Sequence, residues 1–334
     1  MDQGGVRLTV GWADGCVLAV DVACRRPQAA RLLEGRPVDE AVALAPRLFS
    51  LCGQAQGAAA RLAAAAAQGR YPADAPTVEA LTRMVALESI GEHLWRLLLD
   101  WPPLLGGVSD RDGFLRWRKR LLAVNSPQAL ESLANDLLDW LKSAAPPLPI
   151  ERAMTAPAAL LPWRSATDWA GAAIDPAFAA RPALAGGAAE TGALARQAAA
   201  PEVAALLVEG RRVAARLAAR QADLGFLACG LVDLSRLDGW LDATSPAPGV
   251  GLARVETARG LLLHLIQVKD GRVGRYVIVA PTEWNFHPQG AFVGELVGSP
   301  APTRDAAEAL ARRLALALDP CVSCEVVVEE RVDA

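Results

Sequence analysis

Two runs of β-favouring residues near the start of the chain predict a hairpin. Val6–Trp12 and Cys16–Ala23 flank Ala13-Asp14-Gly15, and an Asp-Gly pair suits a tight turn because glycine accepts a positive φ angle. A second Asp-Gly pair lies between Leu261–Val268 and Arg272–Ala280. The pattern therefore predicts one hairpin near the N-terminus and another in the C-terminal third.

Between the hairpins, apolar residues recur at helical spacing. One apolar face is formed by Leu87, Ile90, Leu94, Leu97 and Trp101, which predicts a helix from a cap at Thr77 to about Trp101, where Pro102-Pro103 should stop it. Further helices are predicted at Asp39–Ala67 with a break at Pro46, Phe114–Leu141, Pro201–Leu224 and Thr303–Leu318.

This order of elements predicts an α+β fold with a mostly helical core, on which both ends of the chain meet. We expect a single domain over residues 1–334, with a Pro-rich connector at about 144–165. Gly53–Ala67 is almost entirely Ala and Gly, so another backbone can pack closely against that helix.

The charge balance and the distribution of apolar residues argue against two classes of function, nucleic-acid binding and membrane spanning. Lys plus Arg is 34 and Asp plus Glu is 37, for a net charge of −3, which argues against nucleic-acid binding through phosphate neutralisation. There is no apparent signal peptide and no run of the ~18 apolar residues that a membrane span needs. We therefore expect a cytoplasmic protein without a membrane partner, whose cysteines stay reduced.

The sharpest chemical feature is Asp319-Pro320-Cys321-Val322-Ser323-Cys324. A C-x-x-C spacing lets two thiolates face one metal ion, or each other as a redox pair. A thioredoxin-like motif needs a following helix, and a zinc knuckle needs a second pair, so neither fits well. From these residues alone, metal ligands and buried small hydrophobes remain open. Cys16, Cys24 and Cys229 have no partner spacing and are interpreted as structural.

Several segments, in order, resemble the catalytic large subunit of nickel–iron hydrogenases. Asp319–Cys324 resembles the start of that family's D-P-C-x-x-C-x-x-H ending. The other matching segments are Leu32–Pro37 with Ala45–Cys52, Glu190–Arg196, Glu256–Gly260 and Pro281–Asn285. The sequence also departs from the family. Phe49 stands where the family has the first cysteine of its first pair, and Gln56 and Val327 stand where it has histidines.

The resemblance implies roles for particular residues. Cys52 and Cys324 match the two iron-binding thiolates, and Cys321 matches a terminal nickel ligand. Arg259 and Thr282, with the adjacent Pro281, match positions that face the iron-bound cyanides; an Arg fork and a hydroxyl can donate hydrogen bonds to cyanide nitrogens. With Phe49 in place of a thiolate, the resemblance implies an iron site without a complete nickel site.

This pattern is similar to the HupK/HoxV type of large-subunit-like maturation proteins. It implies a non-catalytic scaffold that carries or assembles an Fe(CN)2(CO) fragment transiently, binds no nickel, and contacts HypC/HypD-type assembly chaperones and a hydrogenase large-subunit precursor. Two alternatives remain open. One is a divergent catalytic hydrogenase, and the other is a metal-free paralogue that acts only through protein contacts.

The remaining polar residues are given structural interpretations. His93 is expected on a solvated helix face beside a Glu92–Arg96 pair, and His264 is expected to be a hydrogen-bonded core residue. Glu190 and Arg196 are interpreted as a structural ion pair or surface charges. The sequence lacks a serine-hydrolase elbow and a dinucleotide-binding glycine loop, which gives no support to either function.

Overall fold

The fold contains two β-sheets, and the smaller one joins strands from the beginning and the end of the described chain. The computed structural model describes residues 4–25, 29–49, 51–71 and 74–331. One sheet has the order β2-β1-β7 and the other β3-β4-β5-β6. The strands are β1 Gly5–Ala13, β2 Cys16–Arg25, β3 Leu241–Ala247, β4 Val250–Thr257, β5 Gly260–Lys269, β6 Arg272–Val279 and β7 Ser323–Glu330. Strand β7 pairs in parallel with β1, so the two ends meet as predicted.

Both predicted hairpins are confirmed. β1 and β2 pair antiparallel around Asp14 and Gly15, whose φ angles are 48° and 77°, and β5 pairs with β6 in the same way. Three strands were not predicted: β3, β4 and β7. β4 is buried along almost its whole length and includes the buried Arg254 and Glu256, so it lacks the polar alternation that would have identified it.

Helices fill the space between the sheets. They are α1 Val38–Leu44, α2 Gly53–Ala67, α3 Ala75–Trp95, α4 Trp101–Leu104, α5 Arg111–Ala123, α6 Pro127–Ala144, α7 Ala166–Ala170, α8 Pro176–Ala180, α9 Ala193–Gln197, α10 Pro201–Val208, α11 Arg212–Val232, α12 Pro281–Asn285, α13 Ala291–Leu296 and α14 Arg304–Leu318. The α+β prediction is confirmed. Thr303 Oγ1 caps α14 by accepting the Ala306 N–H, as its position before Asp305 suggested.

Two helix predictions need correction. The helix expected to stop at Pro102-Pro103 passes through a π-helical turn, Arg96–Asp100, into α4. The prolines are tolerated because the carbonyl oxygens four residues before them, those of Leu98 and Leu99, accept the Asp110 N–H and the Ser109 hydroxyl instead. The helix expected over 114–141 is two helices, and Ser126 caps the second by accepting the Ala129 N–H.

Helix α2 packs directly on the four-stranded sheet. Its many alanines are fully buried, and it approaches β4 so closely that a Cβ at Gly251 would lie 1.9 Å from the Ala63 carbonyl oxygen. The predicted close backbone packing of this helix is therefore confirmed. It fixes the start of α2, and with it Cys52, against the sheet.

Most of the large apolar side chains form one core shared by helices and both sheets. Residues 145–165 connect α6 to α7. The only β-bridge that the structure describes in this segment pairs Leu160 with Glu190. No helix in the described ranges combines the length and the apolarity that crossing a bilayer requires.

Candidate metal-fragment site

Asn285 joins three of the segments that the sequence singled out. Its side-chain amide donates to the carbonyl oxygens of Arg259 and Leu318, each at 3.3 Å, and its Oδ1 accepts the Thr191 N–H at 2.9 Å. Gly192, with φ 110°, lies against the same region, where a Cβ would be 2.6 Å from the Arg259 carbonyl oxygen. A short amide and a glycine at these positions let the three segments meet.

Cys52 and Cys321 lie together beside this junction. Cys52 immediately precedes α2, and Cys321 follows the end of α14; a negative charge on the Cys321 sulfur raises the pKa of Cys52. Thr282 Oγ1 accepts the Cys321 N–H at 3.2 Å and lies 3.0 Å from Cys321 Sγ. The Thr282 hydroxyl hydrogen can therefore be donated to the sulfur.

Asp319 is a buried carboxylate that three arginines share. Its oxygens lie 2.7 Å from Arg96, 2.9 Å from Arg220 and 3.3 Å from Arg259. Burial alone would raise the pKa of Asp319, but the three guanidinium groups outweigh it and hold that pKa well below the usual range. Asp319 caps α14 in the left-handed conformation, with φ 53°, and this turn directs the chain towards Cys321.

Arg259 connects the charge cluster to the sulfurs. It is buried, and its guanidinium contacts Glu92 at 2.5 Å through Nη2 and Asp319 at 3.3 Å through Nε. Burial opposes its charge, but Asp319, Glu92 and the sulfurs of Cys321 and Cys52 raise its pKa further. Arg259 thus supplies a permanent positive charge that acts on both sulfurs; its expected role towards cyanide ligands stays a prediction.

The Cys52 thiol is a weak acid. Burial raises the pKa of the Cys52 thiol to about 12, helped by the Cys321 sulfur and by Glu88, while Arg259 and a hydrogen bond from Gln56 oppose this rise. A bound cation would replace the proton, because thiols bind metals as thiolates. Metal binding here must therefore release a proton.

Glu88 caps the start of α2. Its carboxylate accepts the N–H groups of Gln54 and Ala55 at 2.8 and 3.0 Å. Burial raises the pKa of Glu88 to about 7 in spite of these two hydrogen bonds. A carboxyl that titrates near neutrality therefore lies within electrostatic reach of the Cys52 thiol.

The expected pairing of Cys52 with Cys324 is not what the structure shows. Cys324 is exposed on β7, in register with Val6, and the charge that acts on its thiol is that of Arg312. Pairing of β7 with β1 draws residue 324 into the strand, so Cys321 is the cysteine beside Cys52. An iron-ligand role for Cys324 stays a prediction.

The other two predicted positions are also placed. Pro281 is buried at the first position of α12 and thereby sets the backbone of Thr282. Phe49 lines a cavity of about 360 Å³ together with Glu34, Tyr276 and Ile278. That its ring closes the position of a second metal stays a prediction.

Within the described ranges, no group of three or more His, Cys, Asp and Glu side chains converges in a way that could hold a metal ion. Besides the carboxylates of Glu92 and Asp319, which pair with it, the groups that act on Arg259 include the sulfurs of Cys52 and Cys321. Two soft thiolates beside a cation and a hydroxyl fit an iron ion whose other positions are filled by small non-protein ligands.

His93 corrects a prediction. It is fully buried rather than solvated; its Nε2 lies 2.9 Å from Asp223, and its Nδ1 lies 3.0 Å from Arg220. Glu92 pairs with Arg259 instead of forming the expected pair with Arg96.

The predicted ion-pair residues Arg196 and Glu190 are also paired differently from the sequence interpretation. Arg196 contacts Asp223 and Glu256, and Glu190 contacts Arg216. The one sequence signal for this network is a row of arginines four residues apart, 212, 216 and 220, within an otherwise Ala-rich helix.

Comparison with known proteins gives close relatives over the whole chain. A hydrogenase expression/formation protein HupK from Rhizobium leguminosarum bv. viciae is 37% identical, covering 99% of this chain and 97% of its own. A hydrogenase expression/formation protein HoxV from Cupriavidus necator is 35% identical over 92% of this chain and 93% of its own.

The hydrogenase likeness extends to the fold. A family model of nickel-dependent hydrogenases matches residues 215–327. The structure of the Ni-Fe-Se hydrogenase from D. vulgaris Hildenborough superposes with a TM-score of 0.66 over 93% of this chain and 95% of that one, at 16% identity. The full-length similarity to HupK and HoxV, on a hydrogenase large-subunit fold, shows that the chain belongs to the HupK/HoxV family of hydrogenase expression/formation proteins.

Proposed function

We propose that this protein is a non-catalytic scaffold in the maturation of a nickel–iron hydrogenase. It carries an Fe(CN)2(CO) fragment before that fragment enters the large subunit. The observation that supports this most directly is that the sulfurs of Cys52 and Cys321, both half-buried, act electrostatically on one another and on the buried Arg259, while the buried Thr282 contacts Cys321. These side chains supply two sulfurs, one positive charge and one hydroxyl.

The donor set suits this cargo. Thiolates bind low-spin iron well, and the Arg259 guanidinium can donate a hydrogen bond to a cyanide nitrogen. The Thr282 hydroxyl has one hydrogen, which it can donate either to the Cys321 sulfur or to a cyanide nitrogen. Arg259 donates a hydrogen bond to Glu92 through Nη2, whereas its Nε forms an ion pair with Asp319 without a hydrogen bond, so the guanidinium keeps N–H groups for such a bond. Because the fragment brings its own cyanide and carbonyl ligands, two protein sulfurs complete a plausible coordination shell.

The site is poorly suited to hold nickel as well. In the sequence Phe49 replaces one of the four family thiolates, and in the structure Cys324 lies out on β7. A finished large-subunit site with four thiolates would bind the metals more tightly, so transfer of the fragment out of this protein would be downhill. The high pKa of Cys52 favours the same direction, because the thiol regains its proton on release.

The proposed partners follow from this role. The fragment would arrive from HypC/HypD-type assembly chaperones and leave to a hydrogenase large-subunit precursor. The relatives named as hydrogenase expression/formation proteins support a maturation role. A similarity to the uptake hydrogenase large subunit of Cupriavidus necator, 35% over 28% of this chain, supports a shared cargo.

Anaerobic purification from the native host, followed by elemental analysis and infrared spectroscopy, tests the proposal. We expect iron with little nickel, and bands from metal-bound cyanide and carbonyl. Nickel in equal amount to iron would indicate a divergent catalytic hydrogenase. Absence of both metals, with maturation intact in a Cys52→Ala Cys321→Ala double variant, would indicate a metal-free chaperone.

A further inference from the structure

A buried row of hydrogen bonds leads from the core to the Cys52 sulfur. Gln56, one helical turn after Cys52, places its Nε2 3.6 Å from Cys52 Sγ and its Oε1 2.9 Å from His264 Nε2. His264 Nδ1 lies 2.9 Å from the Tyr276 hydroxyl. Gln56 and His264 are fully buried and Tyr276 almost so. His264 is therefore the hydrogen-bonded core histidine that the sequence predicted.

The donor and acceptor properties of these groups fix the direction in which the hydrogen bonds are donated. An amide oxygen only accepts, so His264 Nε2 must carry the hydrogen that it donates to Gln56. In a neutral imidazole, Nδ1 is then an acceptor, and the Tyr276 hydroxyl donates to it. The hydrogen bonds therefore run from Tyr276 through His264 to Gln56, whose amide N–H groups point at the sulfur.

We propose that Gln56 is a positioning residue that donates a hydrogen bond to the Cys52 sulfur while that sulfur holds the iron fragment, and that Tyr276 and His264 fix its amide in the donating orientation. This inference rests on the proposed function. It assigns a role to the amide that stands where the hydrogenase large subunits have a histidine. Unlike a histidine, an amide does not change its charge at physiological pH.

The hydrogen bond has a spectroscopic consequence. A thiolate that accepts a hydrogen bond gives less electron density to its metal, as hydrogen bonds to sulfur do in other metal–thiolate sites. Iron with less electron density back-donates less to carbon monoxide, so the carbonyl stretch lies at higher wavenumber. Removal of the donor must move that band to lower wavenumber.

The test is infrared spectroscopy of the full-length protein purified anaerobically with its iron. We expect Gln56→Leu, which removes the donor, to lower the carbonyl wavenumber. We expect Tyr276→Phe to lower it as well, because His264 can then move its hydrogen to Nδ1 and the amide is free to turn. In Gln56→His, whose ring can donate to the sulfur, the carbonyl band should lie between its positions in Gln56→Leu and in the unaltered protein. The matched control is Tyr71→Phe, since Tyr71 bonds to Asp242 and has no place in the row.

Each outcome decides the question. A loaded Gln56→Leu protein with an unchanged carbonyl band overturns the inference, and so does a Tyr71→Phe shift equal to that of Tyr276→Phe. If Gln56→Leu does not retain iron, a shifted band in Tyr276→Phe supports the inference and an unchanged band overturns it. If the unaltered protein shows no cyanide or carbonyl bands, the proposed function is refuted and this inference with it. If the bands are present but do not respond to the substitutions, only this inference is refuted.

Discussion

Cys52 and Cys321 come from opposite ends of the chain, yet a charge on one sulfur raises the pKa of the other. The first lies at the start of α2, which the four-stranded sheet holds in place, and the second follows a helix end fixed by Asp319. The sheet that holds α2 and the Asp319 turn that ends α14 are separate parts of the structure. The distance between the two sulfurs is therefore set by the tertiary fold and not by local sequence.

This pair predicts which cysteines retain iron. We expect Cys52→Ser and Cys321→Ser each to lose most of the iron of the anaerobically purified protein, because each removes one of two soft ligands. Cys324→Ser distinguishes the two possible ligand pairs: it retains iron if the ligands are Cys52 and Cys321, as the exposed position of Cys324 on β7 favours, and loses it if they are Cys52 and Cys324. The measurement is the iron content per chain, with Cys229→Ser as a control. Loss of iron in Cys324→Ser alone would show that residues 320–324 rearrange when the fragment binds.

The Asp319 cluster predicts a strongly destabilising substitution. Asp319→Asn leaves Arg96, Arg220 and Arg259 without their shared buried carboxylate, and breaking a buried pair typically costs about 3–5 kcal/mol. Denaturant unfolding measures the loss. The control is Asp139→Asn at the exposed Lys142–Asp139 pair, where we expect roughly 0–1 kcal/mol. Equal losses in the two variants would contradict the assignment.

His93 predicts a pH dependence of stability. Burial lowers the pKa of His93 to about 4 although Asp223 opposes the shift, and the charges of Arg220 and Arg196 lower it further. The Arg220 hydrogen bond to Nδ1 also requires a neutral ring. The unfolded chain takes up a proton near pH 6.5 and the folded one does not, so stability present above pH 6.5 is lost as the pH falls towards 4.

The comparison is between the unaltered protein and His93→Gln. Between pH 6.5 and 4 the unaltered protein should lose up to about 1.4 kcal/mol per pH unit more than the variant. Glu88, whose pKa burial raises to about 7, acts in the opposite direction in both proteins and cancels in the difference. Parallel curves for the two proteins would show that His93 is not held neutral.

Close packing of α2 on the sheet predicts the effect of one methyl group. Gly251→Ala would place a Cβ 1.9 Å from the Ala63 carbonyl oxygen and 2.6 Å from the Ala67 nitrogen. Backbone atoms must then move apart, which costs at least the roughly 1–3 kcal/mol of ordinary overpacking. Because α2 carries Cys52, iron retention should fall too. The control is Gly274→Ala on β6, where the nearest atom is 3.7 Å away; a loss of stability there of the same size would contradict the argument.

Short-range sequence signals were enough to predict the two hairpins and helix α14. The Asp14-Gly15 turn and the Thr303 cap are formed by neighbouring residues, so each can be recognised without the rest of the fold. Strands β4 and β7 escaped prediction because their identity depends on what covers them. β4 is buried beneath α2, and β7 exists only as a partner of β1.

The sequence singled out residues of the candidate site but not their arrangement, and their roles stay predictions. Sequence motifs identified Cys52, Arg259, Thr282 and Cys321, and the structure brings these residues together. The choice between Cys321 and Cys324 depends on strand pairing, which the C-x-x-C spacing does not encode. His93 and Asp223 were missed because they lie 130 residues apart, and only the tertiary fold turns them into partners.

The parallel pairing of β7 with β1 has a consequence for timing in the cell. Cys321 reaches its place only when α14 has docked and the strand after it has joined the first strand of the chain. During translation, therefore, every other group of the site can be folded while the second sulfur is still inside the ribosome. Under the proposed function, no fragment can therefore be held by both sulfurs until α14 and β7 have been synthesised and have docked.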